Sequence, residues 1–219
     1  MSSRKENILF LGPESSSLII WLKECGEIVV QASEIITPDF VDKCNASFLI
    51  SYGYRHILGK EILEKFPGKA INLHISYLPW NRGADPNFWS FVENTPKGVT
   101  IHYLDEGIDT GDIIVQKEVE FDSRDETLAT TYKKLQVEIQ ELFKQNWLKI
   151  KSGKCTRTKQ VGEGSFHKLK DKNHLLNLVT NGWDTPITEL EQASPNRNLV
   201  AARPSSKQTH HTDILHNKL

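Results

Sequence analysis

Short apolar runs constrain this chain more than any other feature. "NILFLG" (7–12), "EIVVQA" (27–32), "ASFLISYG" (46–53) and "AINLHIS" (70–76) are each of strand length. The third is apolar with little alternation, which marks a strand covered on both faces. Between the runs lie helical patterns. In "PESSSLIIWLKECG" (13–26), Leu18, Ile19, Trp21 and Leu22 cluster on one side and Gly26 offers a stop. "TPDFVDKC" (37–44) is a short helix capped by Thr37, with Pro38 in its first position. "GKEILEKF" (59–66) gives a helical turn or two. Strands alternating with helices define an α/β fold with a mostly parallel sheet. In such sheets ligands bind beyond the carboxyl ends of the strands.

The pattern continues with a helix in "PNFWSFVENT" (86–95) and two strands, "KGVTIHYLD" and "DIIVQKEVEF", around "EGIDTG". The longest helix follows, with Leu128, Tyr132, Leu135, Ile139, Leu142, Phe143 and Trp147 as an apolar stripe. Ser123 is its candidate cap, with Glu126 three residues on, and Gly153 its stop. These elements make one domain over 1–152. A small extension over 153–193 is expected to hold one or two strands, read as a small β-hairpin, and a short helix. A polar tail over 194–219 is expected to be mobile.

Composition narrows the function classes. With 38% hydrophobic and 25% charged residues, the 219-residue chain is globular and large enough for a proper core. A net charge of −1 offers no global field for nucleic acid or an anionic membrane. No apolar stretch approaches a membrane span or a signal-peptide core, so a cytoplasmic chain is expected. Cys25, Cys44 and Cys155 are too scattered for a zinc or redox motif.

Two passages carry chemistry. In "INLHISYLPWNRGADPNFW" (71–89), Asn72 and His74 are two apart where a strand runs out, which puts them on one face. In "LDEGIDTGDIIVQ" (104–116), Asp105, Glu106, Asp109 and Asp112 are spaced by Gly107 and Gly111 in a loop between strands. Either alone is ordinary: a packed histidine, or a turn using Asp and Gly. Together, an amide, an imidazole and a carboxylate at a sheet mouth suit acyl transfer to an amine. Imidazole takes the amine's proton, the carboxylate orients it, and the amide N–H donates to the oxyanion.

The order and wording of "NLHISYLPWNRGADP" and "GVTIHYLDEGIDTGDII" resemble the 10-formyltetrahydrofolate-dependent formyltransferases. The resemblance spans roughly residues 7–150. It implies a Rossmann-like domain, N10-formyltetrahydrofolate as co-substrate and no metal. It places Asn72, His74 and Asp109 on the family's catalytic positions. "ISYGYRHILGKEIL" resembles the wall of the pterin pocket, so Tyr54, Arg55, His56 and Ile57, with Asp105, Glu106 and Gly107 opposite, are expected at the folate. The segment from "EIVVQA" to "ASFLISYG" is short for the family, as if a βα unit had shrunk.

Among its branches the wording looks most like the nucleotide-sugar N-formyltransferases, whose acceptors are dTDP-linked 3- or 4-amino-dideoxysugars of surface polysaccharides. That likeness implies a homodimer with Trp80, Asn81, Arg82 and Trp89 on the sugar-nucleotide side. Packing is the alternative role for each Trp, and a surface ion pair for Arg82. Glycinamide ribonucleotide and methionyl-tRNA are alternative acceptors, and a catalytically weak folate binder is a further reading.

Overall fold

The computed structural model describes residues 7–193. The polar tail expected over 194–219, with His210, His211 and His216, lies outside them.

The chain runs β1 (Asn7–Leu11), α1 (Ser17–Glu24), β2 (Ile28–Ala32), α2 (Pro38–Cys44), β3 (Ala46–Ser51), α3 (Lys60–Leu63) and β4 (Ala70–His74). Then come β5 (Arg82–Gly83), α4 (Pro86–Val92), β6 (Gly98–Tyr103), β7 (Ile113–Glu118), α5 (Leu128–Lys151), β8 (Phe166–His167) and α6 (Ile187–Ala193). Two 3₁₀ segments, Leu169–Leu178 and Gly182–Asp184, precede α6.

Six strands form the main sheet in the order β2-β1-β3-β4-β6-β7. The first four are parallel, and β6 and β7 join antiparallel. The parallel part alternates its apolar side chains between two cores. Ile8, Phe10, Phe48 and Ile50 pack with α1 and with Ile139, Phe143 and Trp147 of α5. Leu9, Leu11 and Leu49 pack on the other face with Val41, Ile62 and Phe66. Both faces are covered, which is why these strands read as continuous apolar runs.

Local signals hold at α2, where Thr37 Oγ1 accepts from Phe40 N at 3.2 Å. They fail at α5, which starts at Leu128 rather than near Ser123. Thr127 is the cap, exchanging side-chain and backbone hydrogen bonds with Thr130. Asp122 and Arg124 instead pair with each other in the turn before it.

The expected hairpin in the extension is absent among the described residues. β8 pairs parallel with β5, and Thr158 bridges to Ile113. The segment read as a short helix at "KNHLLNLVTNGW" is mostly 3₁₀. A third core of Phe88, Trp89, Phe91, Leu128, Ile187 and Leu190 seats α6 against α4 and α5.

Candidate active site

The antiparallel pairing of β4 with β6 builds the centre of the site. Asn72 stands opposite His102, and His74 opposite Thr100. The loop between β6 and β7 then brings Asp109 over both strands. Asp109 adopts φ +54°, a left-handed conformation that Asp tolerates better than most residues. Its backbone carbonyl and that of Gly111 are held by Gln160 Nε2 at 2.8 and 2.9 Å. The extension thereby fixes the loop that carries the carboxylate.

Four nitrogens surround that carboxylate. Oδ1 accepts from Asn72 Nδ2 at 3.0 Å and lies 3.3 Å from His102 Nε2. Oδ2 accepts from Gly83 N at 2.9 Å and lies 3.7 Å from His74 Nδ1. Gly83 has φ +88°, and a Cβ there would come within 2.3 Å of the His167 carbonyl oxygen. Only glycine lets that backbone N–H reach the acid while β5 pairs with β8.

Burial works against the Asp109 charge, but the His74 and His102 rings and the Gly83 N–H outweigh it. They hold the carboxyl well below the usual carboxylate range. Burial also pushes the His74 imidazole below its ordinary value, with Asp109 pulling the other way. These two tendencies compete, since a charged His74 would favour an ionised Asp109. The Asn72 and Gly83 donors need no protonation and decide for an ionised Asp109 beside a neutral His74.

His74 Nε2 lies 3.2 Å from the Asn81 carbonyl oxygen, an acceptor only. That contact assigns the proton to Nε2 and leaves the lone pair on Nδ1, the nitrogen facing Asp109. His102 Nδ1 lies 2.9 Å from the Tyr103 carbonyl oxygen and is therefore protonated, while its Nε2 is 3.2 Å from Asn72 Nδ2. One Asn72 N–H thus goes to Asp109, and the other faces His102.

One ion pair links the neighbourhoods of the two expected folate walls. Lys60, just beyond the 54–57 loop, pairs with Glu106 at 3.3 Å. Asp105 braces its loop by accepting from Gly107 N at 3.1 Å and Thr110 Oγ1 at 2.6 Å. Tyr54 donates to the Glu34 carbonyl at 2.8 Å and meets His56 edge to face, while Ile57 is 78% exposed. Tyr54, Arg55 and His56 also line a groove that continues along residues 12–17 to Tyr132, Gln136 and Gln140 of α5.

Of the expected sugar-nucleotide residues, Asn81 and Trp89 are buried, and Trp80 and Arg82 are half-buried. Asn81 is buried and bonds Thr95 Oγ1 at 2.7 Å. Trp89 is buried, with His167 stacked on its ring at 3.8 Å. Arg82 turns its guanidinium to the carbonyls of Ser165 and Glu163, and Trp80 is half-buried in the turn that Ser76 closes. The 78–89 loop serves the centre through its backbone, by the Asn81 carbonyl and the Gly83 N–H. His102 and Gln160 were missed. His102 was legible as the period-two partner of Thr100 on a strand; Gln160 had no local signal. Among the described residues no group of His, Cys, Asp or Glu is arranged to hold a metal ion, and no helix is long and apolar enough to cross a membrane.

Comparison with known proteins identifies the family. The chain is 50% identical to the formyltransferase PseJ of Anoxybacillus kamchatkensis, with a TM-score of 0.82, covering 86% of this chain and all of that one. That structure holds UDP-4,6-dideoxy-4-formamido-L-AltNAc and tetrahydrofolate. A 4-N formyltransferase from Francisella tularensis superposes with a TM-score of 0.69 at 25% identity, over 78% of this chain and 79% of its own. The methionyl-tRNA formyltransferase of Ruminiclostridium cellulolyticum is 30% identical over 188 residues, 78% of this chain and 60% of the relative. The chain spans about half the length of the curated relatives it matches. The formyl transferase family model matches residues 27–146, which include Asn72, His74, His102 and Asp109. By that match the chain belongs to the formyl transferase family.

Proposed function

We propose that this protein transfers the formyl group of N10-formyltetrahydrofolate to the amine of a nucleotide-linked amino sugar. The observation that carries the reading is the Asp109 carboxylate, only 11% exposed and ringed by Asn72, His74 and His102 at the carboxyl end of β4. It suits a reaction that moves one proton and develops one oxyanion.

The pterin lies between the 54–57 loop and residues 105–107, with the formyl carbon toward Asn72. The sugar amine attacks that carbon, a C–N bond forms, and the carbonyl oxygen becomes an oxyanion. His74 Nδ1 takes the proton the amine loses, and Asp109 favours the resulting imidazolium. The Asn72 N–H that faces His102 turns to the oxyanion. Collapse breaks the bond to N10, which leaves with the proton as tetrahydrofolate.

The acceptor class draws support from the full-length likeness to PseJ, which turns the choice of nucleotide toward uridine and away from the thymidine favoured by the sequence. The matched part of the methionyl-tRNA formyltransferases is shared catalytic ground, and their remaining length has no counterpart in the described residues. The sugar reading carries with it a homodimer in the cytoplasm serving surface polysaccharide synthesis. A monomer mass by light scattering would overturn the dimer.

The test is tetrahydrofolate release from 10-formyltetrahydrofolate with UDP- and dTDP-linked 4-amino sugars, a dTDP-3-amino sugar, glycinamide ribonucleotide and charged initiator tRNA. Turnover with a nucleotide sugar is expected. Turnover with only the ribonucleotide or the tRNA would replace the acceptor, and folate binding without any turnover would favour a binding protein.

A further inference from the structure

A cleft lies beside the catalytic centre, between α4, the start of α5 and the extension. Its volume is about 190 Å³, roughly ten times the room one water needs. Ile75, the residue after His74, forms part of its wall, so it opens within one residue of the proposed base. Tyr132 lines both this cleft and the groove along residues 12–17, so the two adjoin at one ring.

The walls are aromatic. Trp183 is 59% exposed, an unusual setting for so large an apolar ring. It is firmly mounted all the same. Thr185, fully buried, accepts from Asn181 N at 3.0 Å and donates to the Gly182 carbonyl at 2.8 Å. The Thr185 carbonyl in turn accepts from Leu128 N at 3.1 Å. One side of Trp183 meets Tyr132 edge to face at 5.3 Å, and Phe88 lines the floor. A rigid, exposed indole beside a cleft suits a planar ligand.

The polar groups are few and specific. Asn87 is 4% exposed. Its Nδ2 is committed to the Leu128 carbonyl and Thr131 Oγ1, both at 3.1 Å, while its Oδ1 has no hydrogen-bond partner. A buried acceptor without a donor bears an uncompensated desolvation penalty, and a ligand N–H would remove it. Lys172 Nζ stands 2.9 Å from Asp85 and 5.5 Å over the Phe88 ring. The cleft therefore offers an acceptor and a donor around a flat slot.

We propose that this cleft takes the pyrimidine base of the acceptor nucleotide, covered by Trp183 and Tyr132 and read at its edge by Asn87 Oδ1 and Lys172 Nζ. A pyrimidine has the matching shape: one flat ring with an N–H and a carbonyl side by side. The proposal rests on the nucleotide-sugar reading above. It places the base on the extension side of His74 and sends the diphosphate past Tyr132 into the groove.

The experiment is calorimetric titration of the full chain with UMP and, separately, with ribose 5-phosphate, alongside turnover of the UDP-amino sugar. Trp183→Ala is the variant, chosen because the side chain is mostly exposed and its loss spares the core. UMP affinity and the nucleotide-sugar KM are expected to worsen at least about fivefold, from the usual worth of stacking one base on an aromatic side chain. The kcat, the folate affinity and the ribose 5-phosphate response should stay as in wild type. Unchanged UMP affinity in Trp183→Ala, with the wild type turning over the nucleotide sugar, overturns the base site and leaves the acceptor reading standing. A wild type that neither binds UMP nor turns over any nucleotide sugar overturns both.

Discussion

Replacing Asp109 by Asn keeps the shape of the centre and removes its charge. The carboxylate accepts from Asn72 Nδ2 at 3.0 Å on one oxygen and from Gly83 N at 2.9 Å on the other. An amide has one oxygen, so either Gly83 or Asn72 would face an N–H₂. The Gly83 N–H is fixed by the backbone, whereas the Asn72 amide can rotate. The substituted amide would therefore keep Gly83 and drive Asn72 over, turning its N–H₂ away from the position needed for the oxyanion. The larger loss is electrostatic. A carboxylate 3.7 Å from His74 Nδ1 favours the imidazolium by about 4 kcal/mol at an effective dielectric near 20. At about 1.4 kcal/mol per decade that is roughly a thousandfold in kcat. The assay is tetrahydrofolate release under saturating folate and acceptor, with folate affinity measured in parallel. A folded Asp109→Asn protein whose kcat stays within tenfold of wild type would refute the electrostatic role and point to Asp112 or Asp105 instead. Stability supplies a second readout. The folded-state pKa of Asp109 is depressed below its unfolded value. Its contribution is therefore complete above the unfolded carboxylate range and disappears as pH falls through the folded value. Asp109→Asn should flatten that acid limb in chemical denaturation.

His102→Phe retains the ring's bulk and removes Nε2 from the Asn72 and Asp109 cluster. It is expected to lower kcat about tenfold, the worth of one net hydrogen bond, with folate affinity unchanged in the same assay. Gln160→Ala frees the carbonyls of Asp109 and Gly111. It should raise amide exchange across residues 105–112 and reduce kcat, whereas Gln160→Glu, which cannot donate, should behave alike. Because burial depresses the His74 pKa, the acid limb of kcat should fall below the ordinary imidazole value of about 6.5, with rate lost as pH drops and His74 takes up a proton. Asp109 raises the His74 pKa, so Asp109→Asn should move that limb further toward acid, which a pH–rate series reads directly.

The fold and the centre of the site were legible where the signal was local. The run of β3, the Thr37 cap and Pro38 start of α2, and the spacing of Asn72 and His74 depend on residues within a few positions of each other. So does the braced turn at Asp105, whose carboxylate bonds Gly107 and Thr110 nearby in sequence. A strand's period and a helix's first turn are set by near neighbours, and the local order of residues carries them.

Contacts across long stretches of chain were decided only by the tertiary structure. Trp89 looked like a ligand face and became core, because α6 and His167 arrive to cover it. Arg82, expected on the sugar-nucleotide side, ties its loop to the carbonyls of Glu163 and Ser165. Gln160 carried no motif, yet it holds the Asp109 loop from 51 positions away. The sequence determined which strands form, which faces they bury and which three residues meet at the end of β4. Tertiary structure decided what surrounds them. A lone side chain far along the chain leaves no periodic trace, and whether it packs, pairs or meets a ligand depends on what the rest of the fold brings against it.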